Sequence, residues 1–171
     1  SDLINIPFSW YDNFVIEKKY GFNTMTTRTF ITDHIKSWFL ALILGIPVLG
    51  LITWFYYKTG TLFWIYAWIL ITVFSVFMNF FYSELIVPLF NKQTPLDEGS
   101  LRDKIEGFAL KTGFRLKNVF VIDGSRRSTK SNAYFSGFGK KKRIVLYDTL
   151  IKEMSEDEIV AVLAHEIGHY R

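Results

Sequence analysis

The sequence predicts an α+β membrane protein, a transmembrane helical hairpin joined to a partial soluble domain. Three observations lead there. Two uncharged apolar runs lie close together, strand-like apolar segments follow them, and the last stretch has helical periodicity and carries two histidines. With 50% hydrophobic and 18% aromatic residues among 171, the chain is too apolar for an ordinary soluble domain, and the excess sits in the two runs.

Residues 38–57 read WFLALILGIPVLGLITWFYY, and residues 62–82 read LFWIYAWILITVFSVFMNFFY. Each run is about 20 residues, enough to cross a hydrocarbon core roughly 30 Å thick. Trp38, Trp54, Tyr56 and Tyr57 border the first run, and Trp64, Tyr66 and Tyr82 border the second, as aromatic belts do. The linker Lys58-Thr59-Gly60-Thr61 is too short for anything but a hairpin, so both flanks lie on one side of the membrane. Lys18, Lys19, Arg28 and Lys36 precede the runs, Lys92 and Arg102 follow them, and the linker holds only Lys58. The positive-inside rule then makes both flanks cytoplasmic. Pro47, between Gly45 and Gly50, predicts a bend in the first span.

Residues 1–37 read as a juxtamembrane segment. Phe8, Trp10, Tyr11 and Phe14 suit a membrane surface, Lys18 to Asn23 suit a turn, and Thr29 to Trp38 lead helically into the first span. The chain begins without Met or a signal peptide, which predicts a start further upstream.

Residues 83–171 form the soluble part. Pro88 and Pro95 bracket a polar connection. Leu101, Ile105, Phe108 and Ala109 mark an amphipathic helix that Gly113 would end at its C′ position. Asn118 to Ile122 read as a buried strand closed by Asp123-Gly124, and Ser125 to Ser131 as a polar loop. Asn132 to Phe135 and Ile144 to Tyr147, joined through Gly137, Gly139 and the cluster Lys140-Lys141-Lys142-Arg143, read as a β-hairpin. A short helical turn from Asp148 leads to the last helix. Ser155 and Glu158 there form a capping box, and Ile159, Val160, Val162, Leu163 and Ile167 recur at helical spacing.

That helix carries His165-Glu166-Ile167-Gly168-His169, an H-E-x-x-H pattern. Histidines four apart share one helix face, so both imidazoles reach one Zn²⁺. Glu166, beside the first ligand, is placed to take a proton from water. The order of elements and this pattern predict a partial zincin-like metalloprotease domain. A catalytic zinc takes three protein ligands, and the sequence supplies two. His34 lies beyond both apolar runs, and nothing in the spacing singles out Asp148 or Glu158. The third ligand is expected beyond Arg171, so the chain by itself is expected to bind zinc weakly and to hydrolyse little. Asn132 to Phe135 are the candidate edge strand for an extended peptide, with an ordinary core hairpin as the equal alternative.

Cys is absent, which excludes disulfides, thiolate ligands and cysteine catalysis. The formal charge of +4 is dispersed, and no basic face with stacking residues points to nucleic acid.

The stretch Asp123-Gly124-Ser125-Arg126-Arg127-Ser128, then SNAYFSGFGKKKRIVLYDTL from Ser131 to Leu150, then HEIGH, resembles the type I CAAX prenyl proteases, as does PFSWYDNFVIEKKYGFN from Pro7 to Asn23. The resemblance implies a multi-spanning zinc metalloendopeptidase in which His165 and His169 hold zinc and Glu166 is the general base. It also implies that a later glutamate completes the site and that Asn132, Ala133, Tyr134 and Phe135 align substrate. The implied substrate is a peptide or protein cut near its C-terminus, prenylated or not. The implied location is the endoplasmic reticulum in a eukaryote or the inner membrane in a bacterium, with the lipid bilayer as the other partner. The rival readings are a zinc protease of membrane-protein quality control and a non-catalytic membrane scaffold with a relic site.

Overall fold

The computed structural model describes residues 2–113, 116–136 and 142–169; the side chains of Lys117, Lys142, Glu166 and His169 fall outside that description. The chain forms two compact units, residues 27–90 and residues 1–26 with 91–171.

The first unit is the apolar one. Helix α2, Thr27–Thr59, contains Pro47, and helix α3, Phe63–Phe81, follows after a tight turn at Gly60–Leu62. Gly60 takes a φ of +54°, a left-handed conformation that costs glycine little, and this breaks the helical run. The helices then return alongside each other. Phe55 packs against Tyr66 (5.6 Å) and Tyr56 against Phe63 (5.5 Å) at the turn, while Lys36 Nζ donates to Leu89 O (2.8 Å) at the other end. Contacts at both ends make this an antiparallel hairpin. Thr27–Phe90 is also the run, among the described residues, whose length and apolarity suit crossing a membrane, and its most apolar stretch has no buried residue. Outward-facing Phe39, Ile46, Trp64 and Trp68 are what a lipid solvent favours. The helices outrun the predicted spans. α2 begins at Thr27, and α3 continues through a wider π-turn at Tyr82–Ile86 into α4, Val87–Phe90, which takes in Pro88.

The second unit carries a four-stranded sheet in the order β1-β2-β4-β3, with β1 Gln93–Pro95, β2 Leu116–Ile122, β3 Ala133–Ser136 and β4 Lys142–Tyr147. β2 and β4 run parallel, with Val119 opposite Ile144 and Val121 opposite Leu146; β1 and β3 pair antiparallel on the outside. Central β4 has Ile144, Val145 and Leu146 all buried, which explains its unbroken apolar run: a strand covered on both faces needs no polar alternation. β1 is missing from the sequence reading, because none of its three residues, Gln93, Thr94 and Pro95, gives an apolar strand signal; pairing with Phe120 to Ile122 creates it. The predicted connection through Gly137, Gly139 and Lys140-Lys141 lies outside the described residues.

Helix α5, Ser100–Lys111, ends with Gly113 N donating to Leu110 O (3.1 Å), as the C′ reading required. α6 spans Asp148–Glu153 and α7 spans Glu156–His169. Ile105 of α5, Leu150 of α6, and Ile159 and Leu163 of α7 close on Val119, Ala133, Ile144 and Leu146 to form the core.

Residues 2–26 belong with this sheet. Helix α1, Asp2–Tyr11, leads through a π-turn at Asp12–Glu17 to a turn at Gly21. Beyond it, Thr129 N donates to Phe22 O (2.9 Å), Thr24 N to Arg127 O (3.2 Å) and Thr24 Oγ1 to Ser125 O (2.7 Å). Lys130 Nζ meets Glu17 Oε1 (2.5 Å) and lies over the Phe22 ring (5.2 Å). The juxtamembrane segment is thus strapped across the loop after β2.

Gly124 begins that loop against Tyr147, where an added Cβ would come within 2.3 Å of the Tyr147 ring. Gly124→Ala is expected to destabilise the soluble unit by about 1–3 kcal/mol through overpacking, read as a lowered thermal midpoint of the full-length protein in detergent.

Candidate metal and active site

The H-E-x-x-H residues lie on α7, whose orientation is set by its other face. Ile159, Leu163 and Ile167, four apart, are buried. At about 100° per residue, positions 165 and 169 fall together on the side away from that stripe, and position 166 falls between the two. His165 is exposed, as a side chain turned from the core must be. The backbone therefore brings both predicted ligands to one helix face, one turn apart. The side chains of Glu166 and His169 lie outside the described residues.

The start of α7 is held by side chains. Glu158 Oε2 accepts from Ser155 N (2.8 Å) and from Ser155 Oγ (2.7 Å), giving the returning half of the expected capping box. These bonds, the hydroxyl first, hold the Glu158 carboxyl below its ordinary range. Lys104 of α5 bridges Glu156 Oε2 (3.1 Å) and Asp157 Oδ1 (2.7 Å), and Ser100 Oγ donates to Glu156 Oε1. Three carboxylates at this end also complement the helix dipole.

Asp148 begins α6. Its carboxylate accepts from Ser125 N (2.8 Å) and Ser125 Oγ and meets Lys152 Nζ (3.3 Å). Partial burial pushes its pKa up, but the bonds from Ser125 and Lys152 outweigh burial and lower it overall. The two carboxylates weighed as a third ligand are thus both committed to structural bonds. His34 is committed too, its Nδ1 2.9 Å from Phe30 O within α2. Among the described residues no group of three or more His, Asp or Glu could hold a metal.

β3 stands at the sheet edge, with β4 as its one strand neighbour among the described residues, and it packs against α7. The candidate peptide strand therefore sits beside the helix that bears the histidines. An open groove of about 460 Å³ lies elsewhere, between α5 and the first turns of α7, lined by Gly107, Phe108 and Val160 among others. The sequence reading missed the strap of residues 22–24 on residues 125–129 and the Ser125–Asp148 link; both join segments more than twenty residues apart and leave no periodic signal.

A family model described as "CAAX prenyl protease N-terminal, five membrane helices" matches residues 1–92, and one described as "Peptidase family M48" matches residues 95–171. The chain belongs to the CAAX prenyl proteases of peptidase family M48. It is an integral membrane protein, with its helical hairpin inside the first match and its sheet inside the second. It is 52% identical to the CAAX prenyl protease 1 homolog of Arabidopsis thaliana over 172 aligned residues, covering 100% of this chain and 41% of that protein. It is 47% identical to CAAX prenyl protease 1 of Saccharomyces cerevisiae, covering 100% of this chain and 38% of that one. The crystal structure of S. mikatae Ste24p matches with a TM-score of 0.91 at 48% identity, over 98% of this chain and 40% of that chain. The chain thus spans about two fifths of the length of the family members it matches.

A depressed folded-state pKa stabilises above the unfolded value and is lost as pH falls through the folded one. The Glu158 cap is therefore fully in place above its ordinary pKa of 4.5 and disappears below the lowered folded value. Glu158→Gln is expected to lower the thermal midpoint at neutral pH and to flatten the acid limb of a midpoint-against-pH curve.

Proposed function

We propose that the protein containing this chain is a zinc-dependent membrane endopeptidase that cleaves near the C-terminus of protein substrates, prenylated C-terminal tails among them. One observation carries the reading. In a member of this family, positions 165 and 169 share a face of α7 turned away from the buried Ile159, Leu163 and Ile167. The names of the plant and yeast relatives support the CAAX-type substrate.

His165 and His169 would hold the metal. The donors this chain supplies fit zinc, since two imidazoles one helical turn apart suit it and the chain has no competing thiolate. When bound, zinc supplies a Lewis acid that polarises the scissile carbonyl and makes water acidic enough to attack. Glu166 takes the proton from the attacking water and passes it to the leaving amine. A third ligand comes from a part of the protein outside this chain. Asn132 to Phe135 align the substrate, with the outer edge of β3 offering backbone groups to an extended peptide. That mode tolerates varied side chains. The lysines and arginines flanking the hairpin support a cytoplasmic soluble unit, at the endoplasmic reticulum in a eukaryotic cell.

In the full-length protein Glu166→Gln is expected to keep stoichiometric zinc while turnover falls about 10²–10⁴-fold, the usual scale for a lost general base. His165→Ala is expected to lose both zinc, by elemental analysis, and cleavage. Full turnover by Glu166→Gln would refute the assignment. Farnesylated and unmodified peptides of one sequence, compared by kcat/KM, test the substrate class; equal values would favour a quality-control protease.

A further inference from the structure

To reach β3 from β2, the chain must cross the end of the strand between them. β2 ends at Ile122 beside Tyr147, the last residue of β4, and β3 begins at Ala133 beside Leu146 of that same strand. The sheet order puts β4 in the middle. The connection through residues 123–132 therefore passes over the C-terminal end of β4, where α6 starts. It passes closely, with Gly124 against the Tyr147 ring. Side chains of α6 hold it along the way. Asp148 accepts from Ser125 N (2.8 Å) and from Ser125 Oγ, Thr149 Oγ1 donates to Lys130 O (3.2 Å), and Ser131 Oγ donates to Glu153 Oε2 (2.5 Å). Tyr147 N then donates to Asn132 O (3.0 Å), one residue before β3. Thr149 is 5% exposed, so losing its bond leaves a buried polar group unsatisfied.

We propose that α6 is the template for β3, and that Asp148 and Thr149 are positioning residues for the peptide substrate. The proposal rests on the reading of β3 as the strand to which an extended peptide adds. Burial of Ala133 decides which face of β3 meets the core. Faces repeat at every second residue, however, so a slide of two residues along β4 would keep the same face inward. Such a slide moves the strand about 7 Å. The bonds from α6 remove that freedom, because they hold the residues that lead directly into the strand. A peptide paired to β3 through backbone bonds inherits its register. α7 packs against β3 and is itself held by the core, so the peptide's position relative to the histidine-bearing helix is decided at α6. Neither Asp148 nor Thr149 needs to touch the peptide. Loosening either lowers the fraction of molecules with β3 in place, and that fraction scales the apparent affinity.

The test combines kinetics with hydrogen exchange in the full-length, zinc-loaded protein. Thr149→Val keeps the side-chain shape and removes the hydroxyl, Thr149→Ser keeps the hydroxyl, and Asp148→Asn weakens the link to Ser125. Thr149→Val and Asp148→Asn are expected to raise KM about threefold to tenfold, the scale of one hydrogen bond, with kcat and zinc content within about twofold of the parent. Amides of residues 132–136 are expected to exchange severalfold faster, while those of β2 and α5 stay unchanged. Thr149→Ser is expected to restore both readouts. Unchanged exchange at residues 132–136 would overturn the template and leave β3 standing as the peptide strand. Faster exchange there with an unchanged KM would overturn substrate positioning, because β3 would then not be the strand that holds peptide. Faster exchange throughout the soluble unit, with a lowered thermal midpoint, would overturn the proposal in favour of a general structural role.

Discussion

Burial of one stripe of α7 is the interaction on which the candidate site depends. Ile159, Leu163 and Ile167 are nearly inaccessible, and Ile159 and Leu163 close on the β4 side chains Ile144 and Leu146. Fully burying such a side chain is worth about 1.5–3 kcal/mol, so three of them fix the rotation of the helix firmly. A turn by one residue would swing the helix about 100° and carry position 165 toward the core. A polar ring there would lose its hydration. The position of the histidines is therefore a consequence of apolar packing two residues to either side of His165. The salt bridges of Lys104 and the Ser155–Glu158 cap then fix where the helix starts.

The same core places β3. As the strand outside β4, β3 is both an edge and a neighbour of α7. One packing solution thus sets the edge strand beside the histidine-bearing helix. The apolar hairpin obeys a different solvent. In that unit the large side chains point outward, and its two ends are tied by ring contacts at the Gly60 turn and by the Lys36–Leu89 bond.

The juxtamembrane segment belongs to the soluble unit in packing, although sequence composition groups it with the membrane. Its link is made by backbone bonds to residues 125–129 and by the Glu17–Lys130 pair, on a loop that is itself tied to α6 through Ser125 and Asp148. A chain of direct contacts therefore runs from the turn at Gly21 to the element preceding α7.

Some of this was legible in the residues alone. Uncharged length identified the hairpin, because backbone groups in lipid must bond within their own helix and only long apolar runs do so cheaply. The four-residue interval of His165 and His169, beside a period-matched apolar stripe, identified the helix and its two faces. Gly113, Ser155 and Glu158 marked helix ends, since caps are local chemistry between neighbours. Tertiary structure alone decided the rest. β1 exists only because β2 offers it partners, the parallel alignment of β2 with β4 follows from how the sheet closes over α5 and α7, and Asp148 is spent on Ser125 rather than on a metal. Each of these is an agreement between distant segments about shape and unsatisfied hydrogen bonds, and a periodic pattern along one segment cannot encode it.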